Sequence, residues 1–166
     1  MKTIATLLCA VLLASASAAW AEASNLQPLI GSWSVDVERL PMPAEARPRS
    51  VTMQFAETAD HRLSMRVVVI DPTGKELRAE GLGPLDGSAY PVEGNLEADS
   101  SAARAPAPGV LVVQLVRQGV PGSTRIYTVS ADGQSMIETA ANVGDDGKPY
   151  MRTHYFHRSE AQSSAP

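Results

Sequence analysis

Turn signals recur at intervals that leave room for little except short strands. Asp71-Pro72-Thr73-Gly74, Asp86-Gly87, Pro108-Gly109, Pro121-Gly122, Asp132-Gly133 and Gly144-Asp145-Asp146-Gly147 punctuate the chain. Proline presets φ at the second position of a turn, and glycine takes the positive φ that other residues resist. The stretches between these marks run to about 5–9 residues, too short for most helices and the usual length of strands.

Within the stretches, apolar residues alternate with the period of two that a half-buried strand requires. Trp33, Val35 and Val37 share one face of residues 31–37, and Val51, Met53 and Phe55 share one face of 50–57. Residues 63–70 alternate at first and then turn apolar on both faces. Residues 75–83, 110–117, 123–129, 135–143 and 150–158 complete eight strands, and a weaker ninth is expected across 100–104. Helical periodicity is confined to a turn at residues 24–29, with Ser24 as its cap. Residues 40–49, with Pro41, Pro43 and Pro48, read as an irregular connection, and 102–108 as a loop. Consecutive strands joined by hairpins predict an all-β, antiparallel up-and-down meander of 8–10 strands. Closing it into a small barrel removes the exposed edges of an open sheet. A β-sandwich is the competing architecture.

The N-terminus predicts export. Lys2 provides a basic start, residues 4–14 an apolar run, and Ala19-Trp20-Ala21 an A-x-A cleavage site. The run is well short of the roughly 20 residues that span a bilayer. The expected organisation is a signal peptide at 1–21, a barrel domain at 22–158 and a disordered tail at 159–166, with the product periplasmic or secreted. Cys9 lies within the apolar run and follows Leu8, a poor context for lipidation. Cleavage after Ala21 removes this one cysteine, so the exported domain forms no disulfide.

Removing 21 of the 166 residues leaves 145, enough for one cored domain. Loss of Lys2 takes the net charge from −4 to −5. Arginines are scattered among acids without forming a run, which argues against a nucleic-acid groove or an anionic-lipid patch. No nucleic-acid partner, stable membrane insertion, cofactor or metal is expected.

Gly31-Ser32-Trp33, opening the first strand after a short turn, resembles the first-strand motif of lipocalins and the wider calycin group. The ordered turns that follow are similar to those of small exported bacterial lipocalin-like β-barrel proteins. They include Asp71-Pro72-Thr73-Gly74, the stretch Tyr90-Pro91-Val92-Glu93-Gly94-Asn95, Asp132-Gly133 and Gly144-Asp145-Asp146-Gly147-Lys148-Pro149. The resemblance spans nearly the whole exported domain. It implies a small antiparallel barrel closed near the G-x-W, with an internal pocket. It also implies that Trp33 closes the base beneath a late arginine, Arg158 or Arg152. The chain departs from larger lipocalins in lacking paired cysteines, a long mouth loop and a C-terminal helix.

The candidate ligand-binding residues are Trp33, Phe55, Tyr90, Arg125, Tyr127, Glu138 and His154. Pro91 holds Tyr90 extended, and a packing anchor over one end of the barrel is the plainer reading of that ring. Arg125 and Tyr127 share one strand face, with Glu138 on the next strand. Inside a barrel these groups could orient a small ligand or work as acid and base. On the outside they form an ordinary salt-bridged ladder, which is the simpler expectation. His154 and His157, three apart on one strand, face opposite ways and cannot share a metal. His61, beside Asp60, is expected in an exposed turn. No serine stands in a nucleophile elbow, and no zinc-type spacing occurs.

The expected function is a non-enzymatic barrel that binds a small apolar ligand or an envelope partner. Two alternatives stand beside it. One is a small barrel enzyme, a cyclase or hydrolase, in which Arg125, Tyr127, Glu138 or His154 converge. The other is a filled-core envelope interaction module.

Overall fold

The computed structural model of the chain describes residues 24–94, 96–144 and 146–159. The expected signal peptide, Cys9 and the tail beyond Ser159 lie outside the described residues. Ten antiparallel strands follow one another around a closed barrel: β1 (Gly31–Val35), β2 (Ser50–Glu57), β3 (Leu63–Ile70), β4 (Glu76–Gly83), β5 (Asp86–Glu93), β6 (Ser100–Ala107), β7 (Val110–Arg117), β8 (Val120–Val129), β9 (Ser135–Val143) and β10 (Pro149–Ser159). Each strand pairs with its sequence neighbour, and β1 pairs with β10 to close the ring. The meander and its closure agree with the sequence expectation, and the sandwich is not adopted.

One strand escapes the sequence reading, and another, expected weakly across 100–104, runs on into residues expected as a loop. Residues 86–93 form β5 where the sequence suggested only a turn, because most of its side chains are exposed and just Tyr90 and Val92 turn inward. Residues expected as a loop, 102–108, lie mostly in β6. The inward positions of β6 are small (Ser101, Ala103, Ala105), so it lacks a strand's β-branched signature. Small residues belong there because Ser101 faces the large Tyr90 ring in register. That ring in turn lies over β4, where a Cβ on Gly83 would sit 2.0 Å from Tyr90 Cδ1. Glycine at 83 makes the space that the tyrosine fills.

One end of the barrel is plugged. The turn before β1 buries Leu26 and Leu29 completely. It is pinned by Asn25, which donates from Nδ2 to Ala105 O and accepts from Gly109 N–H. Trp33, 0 % exposed, stands on this plug and donates from Nε1 to Leu29 O at 2.8 Å. Arg158, its register partner on β10, lays its guanidinium 4.2 Å from the Trp33 ring. The same guanidinium donates to Pro28 O, Ile30 O and Gly133 O at 2.7–2.8 Å. Of the two arginines proposed for this position, Arg158 holds it. Gly31 has φ +122°, and a Cβ there would lie 2.8 Å from Arg158 Nη1. The glycine of G-x-W is thus required by the arginine as well as by the backbone.

The opposite end is the mouth. The 14-residue connection from Asp36 to Arg49 crosses it, carrying the 3₁₀ turns Val37–Arg39 and Ala44–Ala46. Leu40, buried, and Met42 reach over the interior. The sequence reading found no long mouth loop; this connection is one.

The closed end should carry much of the stability. Trp33→Ala is expected to cost about 3–5 kcal/mol, as for other buried Trp truncations. Arg158→Ala should cost about 3 kcal/mol, since it removes a cation–π contact and charge-assisted bonds to three carbonyls. Urea unfolding of each variant measures both effects.

Candidate functional site

Between the plug and the mouth the barrel encloses a cavity of about 290 Å³. Its two sides differ in chemistry. Met53, Met65, Val67, Val69, Ala79 and Val92, from β2 to β5, make an apolar wall. Arg125, Tyr127, Glu138, Asn142, Arg152 and His154, from β8 to β10, make a polar one.

Strand register builds the polar wall. Tyr127, Glu138 and His154 lie directly across from one another on β8, β9 and β10. Arg125, Ala140 and Arg152 form the next inward row toward the mouth. Inward positions recur every second residue, so both rows face the cavity. The expectation of an outward salt-bridged ladder is therefore corrected: Tyr127 and Glu138 are each 1 % exposed. The sequence showed that Arg125 and Tyr127 share a face but not which face. The apolar outward residues Ile126 and Ile137 made the wrong choice plausible.

Glu138 is the hub. His154 Nδ1 lies 3.0 Å from Oε1, and Arg125 Nη1 lies 3.7 Å from Oε2. Arg125 also pairs with Glu97, from the connection between β5 and β6, and donates from Nε to Ser123 Oγ at 3.3 Å. Burial alone would raise the Glu138 carboxyl. The His154 hydrogen bond and the charges of Arg125 and His154 outweigh it, and the net shift is downward. Burial works against the Arg125 charge, but Tyr127, Glu138 and Glu97 hold that guanidinium above its usual range. Desolvation, with the Glu138 charge beside it, pushes the Tyr127 phenol well up, so it stays protonated.

Four of the seven sequence candidates, Arg125, Tyr127, Glu138 and His154, meet at this wall. The other three do not line the cavity. Phe55 packs edge-on against Tyr127, with ring centroids 5.6 Å apart, and supports it from the plugged side. Trp33 belongs to the plug. Tyr90 is buried between β4 and β6 and serves as packing; among the described residues its hydroxyl has no partner, as Ser101 donates to Gln114 O instead. His157 faces outward, opposite to His154, and His61 is exposed and bonded to Glu57.

Arg152, Asn142 and Glu97 are cavity residues that sequence reasoning did not assign. The alternation of 150–158 puts Arg152 on the face of His154, a usable signal. Glu97 sits in a connection and carried none. Among the described residues, no group of three His, Cys, Asp or Glu is placed to hold a metal ion.

The arrangement can bind a molecule with an apolar body and one hydrogen-bonding end, and it can hold or move a proton at His154. Comparison with known proteins finds no matching family model, curated protein or solved structure.

Acid should loosen this wall. A carboxyl whose folded pKa is lowered contributes stability that is present above its ordinary value of 4.5 and is lost as pH falls through the folded value. Glu138→Gln should remove that part of the acid slope. At neutral pH it should cost at or below the lower end of the roughly 3–5 kcal/mol typical of breaking a buried pair, because Glu97 still partners Arg125. Urea midpoints of both proteins between pH 3 and 7 measure the two effects.

Proposed function

We propose that this chain is an exported lipocalin-like barrel that holds one small, mostly apolar molecule by its polar end. The observation that carries this reading is the two-sided cavity. A barrel of this size can be filled by its own side chains, yet here only the plugged half is. A volume of about 290 Å³ sits at the lower edge of the range of roughly 300–1,000 Å³ usual for small-molecule sites.

The polar wall points to the ligand's polar group. Arg152 and Asn142 line the cavity; each gives one donor to a protein partner, the Tyr150 hydroxyl and Ala140 O, and keeps further N–H groups. Arg125 is already committed to two carboxylates, so the wall carries no large excess of positive charge. A carbonyl or other hydrogen-bond-accepting oxygen suits it better than a strongly ionised group. Export is supported by the three-part signal at residues 1–21.

An envelope partner remains the second reading. It is favoured by the exposed outward side chains Ile126, Ile137, Val143 and Met151 on β8 to β10.

The test is saturable binding of an uncharged fluorophore, N-phenyl-1-naphthylamine. The wild-type domain should bind one equivalent. Ala79→Phe, which fills the apolar side, should weaken binding at least tenfold while the protein stays folded by circular dichroism. Binding that does not saturate, or that is unchanged in Ala79→Phe, would remove the ligand reading. Protein recovered from the periplasm should begin at Glu22 when its N-terminus is sequenced.

A further inference from the structure

The Glu138–His154 pair has more structure than ligand binding needs. Glu138 sits at the bottom of the polar wall, 1 % exposed, while the His154 side chain is 20 % exposed and lines the cavity. An ionised carboxylate can only accept hydrogen bonds, so its contact with His154 requires the proton on Nδ1. In the neutral ring the lone pair then stands on Nε2, and among the described residues no hydrogen bond engages that atom. Ala140 stands between Arg125 and Arg152 in the row above. Its small side chain separates the two arginines: Arg125 is held by Glu138 and Glu97, and Arg152 stacks on Tyr150 and gives one donor to its hydroxyl.

Resting on the reading that the cavity takes a ligand, we infer that His154 is a general base that removes a proton from a carbon next to a carbonyl of the bound molecule. The C–H bond breaks and the proton passes to Nε2. The electron pair moves toward the carbonyl oxygen and forms an enolate, which accepts a hydrogen bond from Arg152, with Arg125 in the same row. Where the molecule carries a β,γ double bond the enolate is a dienolate, and His154 returns the proton to its γ carbon, so that the double bond moves into conjugation with the carbonyl. The net change is an isomerisation, so no oxidant, reductant or cofactor is consumed. Glu138 is a positioning residue that fixes the tautomer and stabilises the imidazolium, and Tyr127 and Arg125 hold Glu138 in turn. The charged and titratable groups around His154 are Tyr127 and Arg125 from β8, Glu138 from β9, Arg152 from β10 and Glu97 from the connection before β6.

A carbon acid of known chemistry tests the base without knowledge of the natural substrate. In 5-nitrobenzisoxazole, loss of the C3 proton to a base breaks the N–O bond and releases a coloured cyanophenolate. The full exported domain should catalyse this with a rate that rises with pH through one ionisation. His154→Gln should lower kcat at least 100-fold, within the roughly 10²–10⁴-fold range of general-base catalysis, while circular dichroism shows it folded. Glu138→Gln should lower kcat with little change in KM. It should also move the midpoint of the pH profile to lower pH, because the imidazolium loses its anion; a purely structural role would not do this.

Wild-type protein that binds the fluorophore but turns over no faster than free imidazole would overturn the base and leave the binding reading standing. An unchanged rate in His154→Gln would do the same. Failure to bind the fluorophore at all would overturn both.

Discussion

Arg158 does the work of three closures at once. It stacks on Trp33 and ties the chain before β1 to β10 through Pro28 and Ile30. It also holds the β8–β9 turn through Gly133. A guanidinium suits this because it keeps its charge at any physiological pH and presents donors in a rigid fork while stacking on an indole. Lysine could not make all four contacts. Gly31 follows from the same side chain, since the space a Cβ needs belongs to Arg158. The seam between first and last strand is where a meander barrel would open, and this arginine is the fastening.

Placing the aromatic bulk at the plugged end determines what the other end can be. Trp33, Phe55, Tyr127 and Phe156 fill the base and middle, with Tyr127 edge-on to both phenylalanines. Above them the inward residues of β2 to β5 shrink to Val, Met and Ala. Such side chains cannot reach across the interior, so a cavity remains. The mouth connection narrows its entrance with Leu40 and Met42. The hollow half is thus a consequence of residue size along the strands, and the plug is what lets the fold tolerate it.

The barrel was legible because its signals are local. Turn residues and period-two alternation lie within a few positions of one another, and a one-residue slip would turn a whole face out. The signals failed where a strand's inward partner is non-local. β5 and β6 look unlike strands because their inward residues answer to Gly83 and to Tyr90 across the sheet. The site was half legible for a related reason. Alternation grouped Arg125 with Tyr127 and separated His154 from His157. Whether a polar face looks in or out depends on closure of the ring, which no local pattern carries. Phe55 and Trp33 are core residues below the cavity; the sequence does not show how high in the barrel the plug ends.

The cost of the polar wall is the strongest reason to give it a purpose. Taking a carboxylate and a guanidinium out of water costs several kcal/mol per ion, and well-packed apolar residues would often serve stability as well or better. The fold has such residues available on the facing wall. It places Glu138 instead where Arg125 and His154 both reach it, and balances Arg125 with a second carboxylate, Glu97. That balance keeps the cluster near neutral, so it neither draws in counter-ions nor demands a charged ligand. What it offers the cavity is one imidazole edge, held in a single tautomer, with two arginines in the next row separated by a small residue. A stabilising core would have no use for that geometry, whereas a site that grips or deprotonates one end of an apolar molecule would.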